Sequence, residues 1–229
     1  MNEYKFELHT HTVHSDGAFT PKTLVESAKA LGYKGIALTD HNTNSGCKEA
    51  IEWGKKLGVM VIPGIEWTTF YGHIVVLGGK SQVEWKDVKP ENVVEKIKEA
   101  QKAGDIVGIA HPFRVGYPVC TGGRNQFPKE IFSVLDFYEV ISGEVEEVTN
   151  ERSVAEYKKL RKDGYVISAT YGRDWHCNND KKGATYGATY LITDGDITTV
   201  DDALRLIKEG RTKVGDRENS KNLLEDCVC

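Results

Sequence analysis

The sequence predicts a single α/β barrel, on two observations. Short apolar segments alternate with amphipathic helical segments along the chain, which is the pattern of repeated strand–helix units. The 229 residues lie within the range of one α/β barrel, and no linker or shift in composition divides them. We therefore expect roughly seven or eight strands in a mostly parallel sheet that closes, or nearly closes, on itself. Residues 1–229 would form one domain, with about the last 12 residues as a frayed tail.

The predicted helices carry recognisable start and stop signals. Thr20 caps the first helix, Pro21 lies in its first turn, and Gly32 ends it. The next two helices close on Gly58 and Gly104 in the same way. The later helical segments are recognised by the spacing of their apolar residues. In chain order the predicted helices are residues 20–32, 45–58, 90–104, 129–135, 145–164 and 199–210.

The predicted strands are short apolar runs with turn residues on either side. They are residues 4–8, 35–40, 59–68, 73–79, 106–112, 137–142, 165–172 and 187–193. One long segment, residues 114–128, contains several Gly and Pro residues and is predicted to be a loop. Strands and helices therefore alternate along most of the chain, as a barrel requires.

Composition and charge narrow the classes of function. A net charge of −4 and a pI of about 6.0 give no electrostatic footprint for long nucleic acid. The chain has no apolar run of the ~18 residues that a membrane span needs, and its N-terminus lacks the pattern of a signal peptide. We therefore expect a cytoplasmic protein with no membrane partner.

The cysteines do not suggest a disulfide framework, because the five of them are an odd number and are widely scattered. Cys227 and Cys229 fall in the predicted tail. A metal site or a redox pair there is the alternative to a frayed end, which the usual disorder of chain termini favours.

Polar residues gather at the ends of the predicted strands. The residues that end a strand, or lie next to its end, are His9, His11, Asp40, His41, Glu66, His73, His111, Asp174 and His176. In an α/β barrel the carboxyl ends of the strands share one face, where active sites form. Segments far apart in sequence would therefore bring these side chains to one location.

Spacing and residue type favour a metal site. His9 and His11 stand two residues apart, as do Asp174 and His176, so each pair points to one side of a strand. Imidazole and carboxylate together suit zinc, iron or manganese, and such a cluster without Cys is typical of hydrolytic sites. A lone strand-end histidine is as often structural, but six of the seven histidines share this placement. His14 is out of phase, and is either a solvated loop residue or a substrate contact at the mouth of the site.

Six short motifs, taken in order, resemble one known family. They are HTHTVHSDG, LTDHNT, PGIEWT, GHIVVLG, AHP and GRDWH, and they span residues 9–176. Together they are similar to the PHP (polymerase and histidinol phosphatase) family of metal-dependent phosphoesterases. The segment EWTTFYGH is most similar to its carbaryl-hydrolase-like (CehA/McbA) branch. The resemblance implies a distorted (β/α)7 barrel with two to three divalent metal ions.

The resemblance also implies a set of metal ligands and catalytic residues. The first metal would be held by His9, His11, Glu66 and Asp174. Glu66 would bridge to the second metal, held also by His73 and His111, and the third would be held by Asp16, His41 and His176. Glu66, Asp174 and His176 are the predicted catalytic residues. Arg173 stands where many members have Ser, and would either add an anion contact for the substrate or reach solvent.

The hypothetical mechanism is attack on phosphorus, or on a carbonyl carbon, by a hydroxide held between the first two metals. Arg114 follows the AHPF segment and would grip a substrate phosphate, or else be a solvated loop arginine. Asp40 would orient a metal ligand or cap a turn. Weaker expectations place Arg124 and Asn125 near phosphate, Tyr71 and Tyr117 on a pocket wall, and Trp67 and Trp175 in the core.

Three functions remain open. The leading one is a metal-dependent phosphoesterase acting on a small phosphorylated metabolite or nucleotide. A carboxyl or carbamate ester hydrolase would use the same site, and a non-catalytic metal-binding regulatory module is an alternative of another class. A nuclease acting on long nucleic acid is disfavoured by the acidic chain, which lacks a basic stripe.

Overall fold

The computed structural model describes residues 1–114, 125–145, 148–178, 185–216 and 224. Within them, one sheet has nine strands. They are β1 (Asn2–Thr10), β2 (Gly35–Leu38), β3 (Met60–Thr69), β4 (Gly72–Leu77), β5 (Ile106–Ile109), β6 (Phe137–Ser142), β7 (Ser168–Gly172), β8 (Gly187–Thr193) and β9 (Thr212–Asp216). The α-helices are α1 (Pro21–Ala30), α2 (Cys47–Leu57), α3 (Val93–Ala103), α4 (Val148–Lys162) and α5 (Val200–Lys208), and two 3₁₀ turns cover Trp85–Asp87 and Lys129–Ser133.

The strands lie in the order β7-β6-β5-β4-β3-β2-β1-β8-β9. Neighbours β1 and β2, β2 and β3, β5 and β6, and β6 and β7 are parallel. Strand β4 is antiparallel to both of its neighbours, and β8 is antiparallel to β1 and β9. The expectation of a mostly parallel sheet is therefore wrong, because parallel and antiparallel neighbours are equally frequent.

The two edges of the sheet curl towards each other. The Thr189 hydroxyl on β8 accepts a hydrogen bond from the Tyr171 amide on β7 at 2.8 Å, and donates to the Tyr171 carbonyl at 3.0 Å. On β9, the Thr212 hydroxyl donates to the Ala169 carbonyl at 2.7 Å. An isolated bridge also joins Thr10 to Trp175, just beyond β7. The sheet is therefore a nearly closed barrel, and the predicted barrel class is confirmed.

The barrel differs from the seven-stranded expectation at its C-terminal side. Strand β9 was not predicted, because the short segment TKVGD has neither an apolar run nor a clear alternation. It is held by an antiparallel register with β8, from Gly187 opposite Asp216 to Leu191 opposite Thr212. Apart from Leu224, the predicted C-terminal tail with its two cysteines lies outside the described residues, as do Tyr117 and Arg124.

The helix signals act as the sequence indicates. Thr20 caps α1 through its side chain and Pro21 is the first helical residue. Gly58 and Gly104 end α2 and α3 in the left-handed region, which a residue without Cβ enters at little cost. The buried faces of the helices pack on the barrel. Among the helices that the structure describes, none combines the length and the apolar character needed to cross a bilayer.

The thiol of Cys47 is buried at the start of α2, and burial raises its pKa to about 11. Because the thiolate is the reactive form, we expect Cys47 to resist alkylation at pH 8 in the folded protein. Cys177, which is partly exposed, serves as the internal comparison. Peptide mapping after brief iodoacetamide treatment should show label on Cys177 and little on Cys47, with both labelled in denaturant. Equal labelling of the two in the folded protein would contradict the burial.

Candidate metal centre

The predicted site residues meet at one end of the barrel. His9 lies near the end of β1, His11 just beyond it, and Asp174 follows β7. Strand β4 runs the other way, so its first residues lie beside the carboxyl ends of β3 and β5. His73 at the start of β4 is opposite Thr68, and Ile74 is opposite Ile109. The reversal of β4 is therefore what allows a residue that opens a strand to join residues that close others.

One group matches the predicted first metal site. A ligand atom from each of His9, His11, Glu66 and Asp174 lies within 4.8 Å of the other three. His9 Nε2 is 3.2 Å from Glu66 Oε2, and His11 Nε2 is 2.9 Å from Asp174 Oδ1. These four atoms are all buried, and within the described part of the chain none has a hydrogen-bond partner of good geometry. Converging, unsatisfied nitrogen and carboxylate atoms are what a divalent cation would complete, so the donor set fits a metal.

The two oxygens of Glu66 face different sets of histidines. Oε2 is 3.5 Å from His11 Nε2 and 2.8 Å from His41 Nδ1. Oε1 is 2.8 Å from His73 Nδ1 and 3.1 Å from His111 Nε2. The carboxylate is fully buried. This is the placement that a carboxylate bridging two cations requires.

The two remaining groups differ in one member each from the predicted sets. The group around Glu66 and His73 includes His41 in place of His111. His111 still contacts both residues, with Nε2 3.1 Å from Glu66 Oε1 and its ring centroid 4.9 Å from that of His73. The group predicted as Asp16, His41 and His176 includes His11 as well. Asp16 Oδ1 lies 3.1 Å from His176 Nε2 and 3.5 Å from His41 Nε2. All nine predicted ligands are thus in one connected cluster, and the assignment of each to a particular metal stays a prediction.

The buried charges stabilise one another. Burial by itself raises the pKa of Glu66, but His9 and His73 hold that pKa well below its usual range. Burial opposes the charge of His9 too, yet the carboxylates of Glu66, Glu139 and Asp174 raise its pKa well above the ordinary value. Burial lowers the pKa of His11 to about 4, so its ring is neutral at pH 7. A neutral imidazole beside ionised carboxylates is the protonation state that metal binding needs.

Backbone conformation also marks the site. Among the described non-glycine residues, positive φ occurs at Asn42 (57°), His111 (22°) and Asp174 (51°). Two of these are predicted ligands, and Asn42 follows a third. Such conformations cost on the order of 1–3 kcal/mol each and persist where the surroundings enforce them. Strain concentrated in this way agrees with a functional role for the cluster.

Several ligand rings also contact atoms that are not proposed as metal ligands. His176 Nδ1 donates to the Asp174 carbonyl at 2.8 Å, which leaves Nε2 for Asp16. His41 Nδ1 is 2.5 Å from the Thr68 hydroxyl, and His9 Nδ1 is 2.8 Å from Glu139 Oε2. Sequence reasoning missed Thr68 and Glu139. A signal for Glu139 was available, since it is the one charged residue within the otherwise apolar strand FYEVIS.

A cavity of about 140 Å³ opens over the cluster. Its lining residues are Asp16, His41, His73, His111, Arg114, Asp174 and His176. The Arg114 guanidinium forms an ion pair with Asp174 Oδ2, so it reaches the site as predicted. Two larger cavities lie elsewhere, and few His, Asp or Arg side chains line them. The chemistry of the lining, and not the volume, identifies this cavity as the candidate site.

Other predicted contacts are placed differently. Arg173 is 4% exposed, so the expectation that it reaches solvent is wrong. Its guanidinium lies over the rings of Trp175 and Tyr186, at 4.4 and 4.3 Å, which is a packing position apart from the cavity lining. The position does not support the expected anion contact. His14 is exposed and lies 2.8 Å from the Ser45 hydroxyl, away from the cavity lining, which agrees with a loop residue.

The remaining predicted residues have local structural roles. Asp40 accepts hydrogen bonds from the amide of Thr12 at 2.6 Å and from the Ser15 hydroxyl at 2.7 Å, so it holds the loop that carries Asp16. Asn125 accepts from the Phe127 amide at 3.0 Å. Trp67 and Trp175 are buried, as predicted, and Tyr71 packs beside Phe127 with ring centroids 6.4 Å apart.

Two uncharacterized proteins of Methanocaldococcus jannaschii are similar to this chain. One is 34% identical over 115 residues, which cover 50% of this chain and 49% of the relative. The other is 33% identical over 127 residues, covering 51% of this chain and 70% of the relative. The chain thus spans about half the length of the first relative.

Relatives with named activities match shorter segments. A 3′,5′-nucleoside bisphosphate phosphatase of Chromobacterium violaceum is 37% identical over 76 residues, 31% of this chain and 27% of the relative. The 5′-3′ exoribonuclease Rnm of Escherichia coli is 30% identical over 120 residues, 45% of this chain and 41% of the relative. These activities belong to those proteins, and one of them acts on a small nucleotide while the other acts on RNA.

A solved structure shares the fold. It is a two-domain protein from Bacteroides vulgatus that contains a predicted PHP-like metal-dependent phosphoesterase, with 20% sequence identity and a TM-score of 0.68. The match covers 93% of this chain and 64% of that one. The family model described as the PHP domain matches residues 7–144, more than half of the chain. Asp174 and His176 lie beyond the match and join the cluster through the fold. The chain belongs to the PHP domain family.

Proposed function

We propose that the protein is a metal-dependent phosphoesterase that hydrolyses a small phosphorylated metabolite or nucleotide. One observation carries the proposal. Buried, unsatisfied ligand atoms of His9, His11, Glu66 and Asp174 converge beneath a cavity that also holds the guanidinium of Arg114. A metal-binding floor and a cationic wall are the two features that binding of a phosphate ester requires.

The proposed cofactor is a set of two to three divalent cations, of zinc, iron or manganese. Bound there, the cations would lower the pKa of water and neutralise the charge that develops on the reacting group. Glu66 offers one oxygen to each side of the cluster, so it would set the spacing between two cation positions. His176 directs its Nε2 towards Asp16 near the mouth of the cavity, where the third position would lie.

Arg114 is the residue proposed to recognise the phosphate. Its planar guanidinium can donate two parallel hydrogen bonds to phosphate oxygens. It is paired with Asp174 Oδ2 in the structure, so it is already held at the edge of the ligand cluster. Asp174 is thus placed between the proposed metal and the proposed substrate contact, where it would orient both.

The lining favours phosphate esters over apolar carboxyl or carbamate esters. Every residue that the structure places on the cavity wall is His, Asp or Arg, with no Phe, Tyr or Trp among them. A charged phosphate would replace its hydration with ionic contacts on such a wall, which an uncharged ester could not form. The acidic net charge of −4 supports small substrates over long nucleic acid.

The test is elemental analysis of the purified protein, together with a screen of phosphomonoesters, phosphodiesters and carboxyl esters. We expect more than one equivalent of transition metal and hydrolysis of at least one class of phosphate ester. Removal of metal with a chelator should abolish the activity, and adding back zinc, iron or manganese should restore it. Fully metallated protein that hydrolyses no phosphate ester would rule out the proposed activity and favour a metal-binding regulatory module.

A further inference from the structure

We propose that Glu139 is a positioning residue that fixes the tautomer and orientation of His9 for metal binding. This inference rests on the proposed metal site and goes beyond its ligands. Glu139 Oε2 lies 2.8 Å from His9 Nδ1, and the two residues are 3% and 0% exposed. On the other side of the ring, His9 Nε2 faces Glu66 Oε2 at 3.2 Å. The imidazole is therefore held between one carboxylate behind it and the ligand cluster in front.

The chemistry of the pair determines which nitrogen carries the proton. An ionised carboxylate can only accept a hydrogen bond, so the Nδ1 of His9 has to donate. When a metal displaces the second proton of the ring, the lone pair that binds it is therefore on Nε2, the atom that points into the cluster. A carboxylate behind a ligating histidine also increases the basicity of the ring, and losing such a partner typically weakens metal binding about 10- to 100-fold.

Strand β6 has a bulge next to the Glu139 carboxylate. Glu139 is opposite Thr170 on β7, but Ile141 is opposite Tyr171, so one residue of β6 is bulged between them. A bulge changes the direction in which nearby side chains point. It directly follows Glu139, the residue that reaches across to His9 on β1.

Strand β7 leaves room for the same contact. A Cβ atom added at Gly172 would lie 2.6 Å from Glu139 Oε2 and 2.7 Å from His9 Cβ. Those distances are shorter than real side chains adopt, so a larger residue at this position would push the pair apart. A glycine within a strand often marks such a close approach. The bulge and the glycine, on two different strands, thus serve one hydrogen bond.

The nearby Glu7 does not have this role. Its carboxylate accepts hydrogen bonds from the backbone amides of His9 at 3.1 Å and Arg173 at 2.8 Å, and not from a ligand ring. Burial raises the pKa of Glu7 to about 7 despite those contacts. Glu7 therefore links strand β1 to the residue after β7 through hydrogen bonds, and Glu139 is the carboxylate that contacts the imidazole of His9.

The experiment measures metal binding and the position of the proton. Metal-free wild-type, Glu139→Ala and Glu139→Gln proteins are titrated with Zn²⁺ or Mn²⁺ by calorimetry. Glu156→Ala is the matched control, because Glu156 accepts from Tyr138 on the same strand at 2.7 Å without touching His9. We expect the tightest site to weaken about 10- to 100-fold in Glu139→Ala, less in Glu139→Gln, and not in the control. Nitrogen NMR of the metal-loaded wild type should place the one remaining His9 proton on Nδ1.

The outcomes separate this inference from the proposed function. Wild-type protein that binds neither Zn²⁺ nor Mn²⁺ contradicts the proposed metal site itself. If the wild type binds metal and Glu139→Ala binds it equally well, Glu139 is not a positioning residue. Should Glu139→Ala fail to fold, the wild-type NMR measurement decides the question. A His9 proton on Nε2 overturns the inference, and one on Nδ1 together with weaker binding in Glu139→Gln supports it.

Discussion

The substitution Glu66→Gln is expected to remove most of the hydrolytic activity and one or more of the bound metal ions. The side chain is fully buried and contacts five histidines, with one oxygen facing each side of the cluster. Glutamine has nearly the same shape, but it lacks the charge and offers one oxygen in place of two. Removal of one hydrogen-bond donor from an oxyanion hole lowers kcat by about 10²–10³-fold, and we expect the loss of a bridging carboxylate to cost at least as much.

The measurement is metal content per chain, together with kcat and KM on the best phosphate ester from the screen. Glu49→Gln is the matched control, because Glu49 is an exposed residue in the first turn of α2. Thermal unfolding of the metal-free proteins distinguishes a lost ligand from a lost fold. Glu66→Gln protein with full metal content and full activity would show that the carboxylate is not a bridging ligand.

The substitution Arg114→Ala is expected to lower kcat/KM for phosphate esters roughly 10- to 100-fold. That range corresponds to one charged hydrogen bond of about 1.5–3 kcal/mol. Metal content should stay the same, because removing the guanidinium takes away the ion pair with Asp174 without removing a ligand. Hydrolysis of an uncharged carboxyl ester, if the screen detects any, should change little. The variant therefore tests phosphate recognition separately from metal binding.

Arg161→Ala is the control for the loss of a cationic side chain. Arg161 donates to the Tyr165 carbonyl at 3.0 Å, just before β7, whereas Asp174 follows the other end of that strand. Lysine at position 114 keeps the charge without the planar pair of donors, so it should recover only part of the loss. Equal losses on phosphate and carboxyl esters would mean that Arg114 acts on the metal cluster and not on the phosphate.

The sequence was informative about the site because the ligands follow a simple rule of placement. His9, His11 and Asp174 lie at or just beyond the ends of strands. Residues two apart in a strand, such as His9 and His11, point to the same side of it. His73 fits the same rule only through the reversal of β4, which hydrophobic patterning does not indicate. The barrel class followed from the alternation of strands and helices, whereas β9 escaped detection because its pairing with β8, and not its own composition, makes it a strand.

The missed and misplaced residues depend on long-range geometry. Glu139 meets His9 across 130 residues of sequence, and the contact requires a bulge on β6 and a glycine on β7. No pattern within a short stretch of the sequence predicts that contact. Arg173 stands where many members of the family have Ser, and the sequence leaves open an anion contact with the substrate or exposure to solvent. Stacking against Trp175 and Tyr186 buries it instead.

The reversed strand β4 has a consequence for how the protein folds. Glu66 and His73 are seven residues apart on a tight hairpin, so their contact closes a very short loop. His9 and Asp174, by contrast, are brought together only when the two halves of the chain meet. Contacts between residues close in sequence form early, and those that close long loops form late. We therefore expect a nascent chain to form the Glu66–His73 part of the metal site first. High affinity for metal should appear only when the barrel closes and brings His9 and Asp174 together.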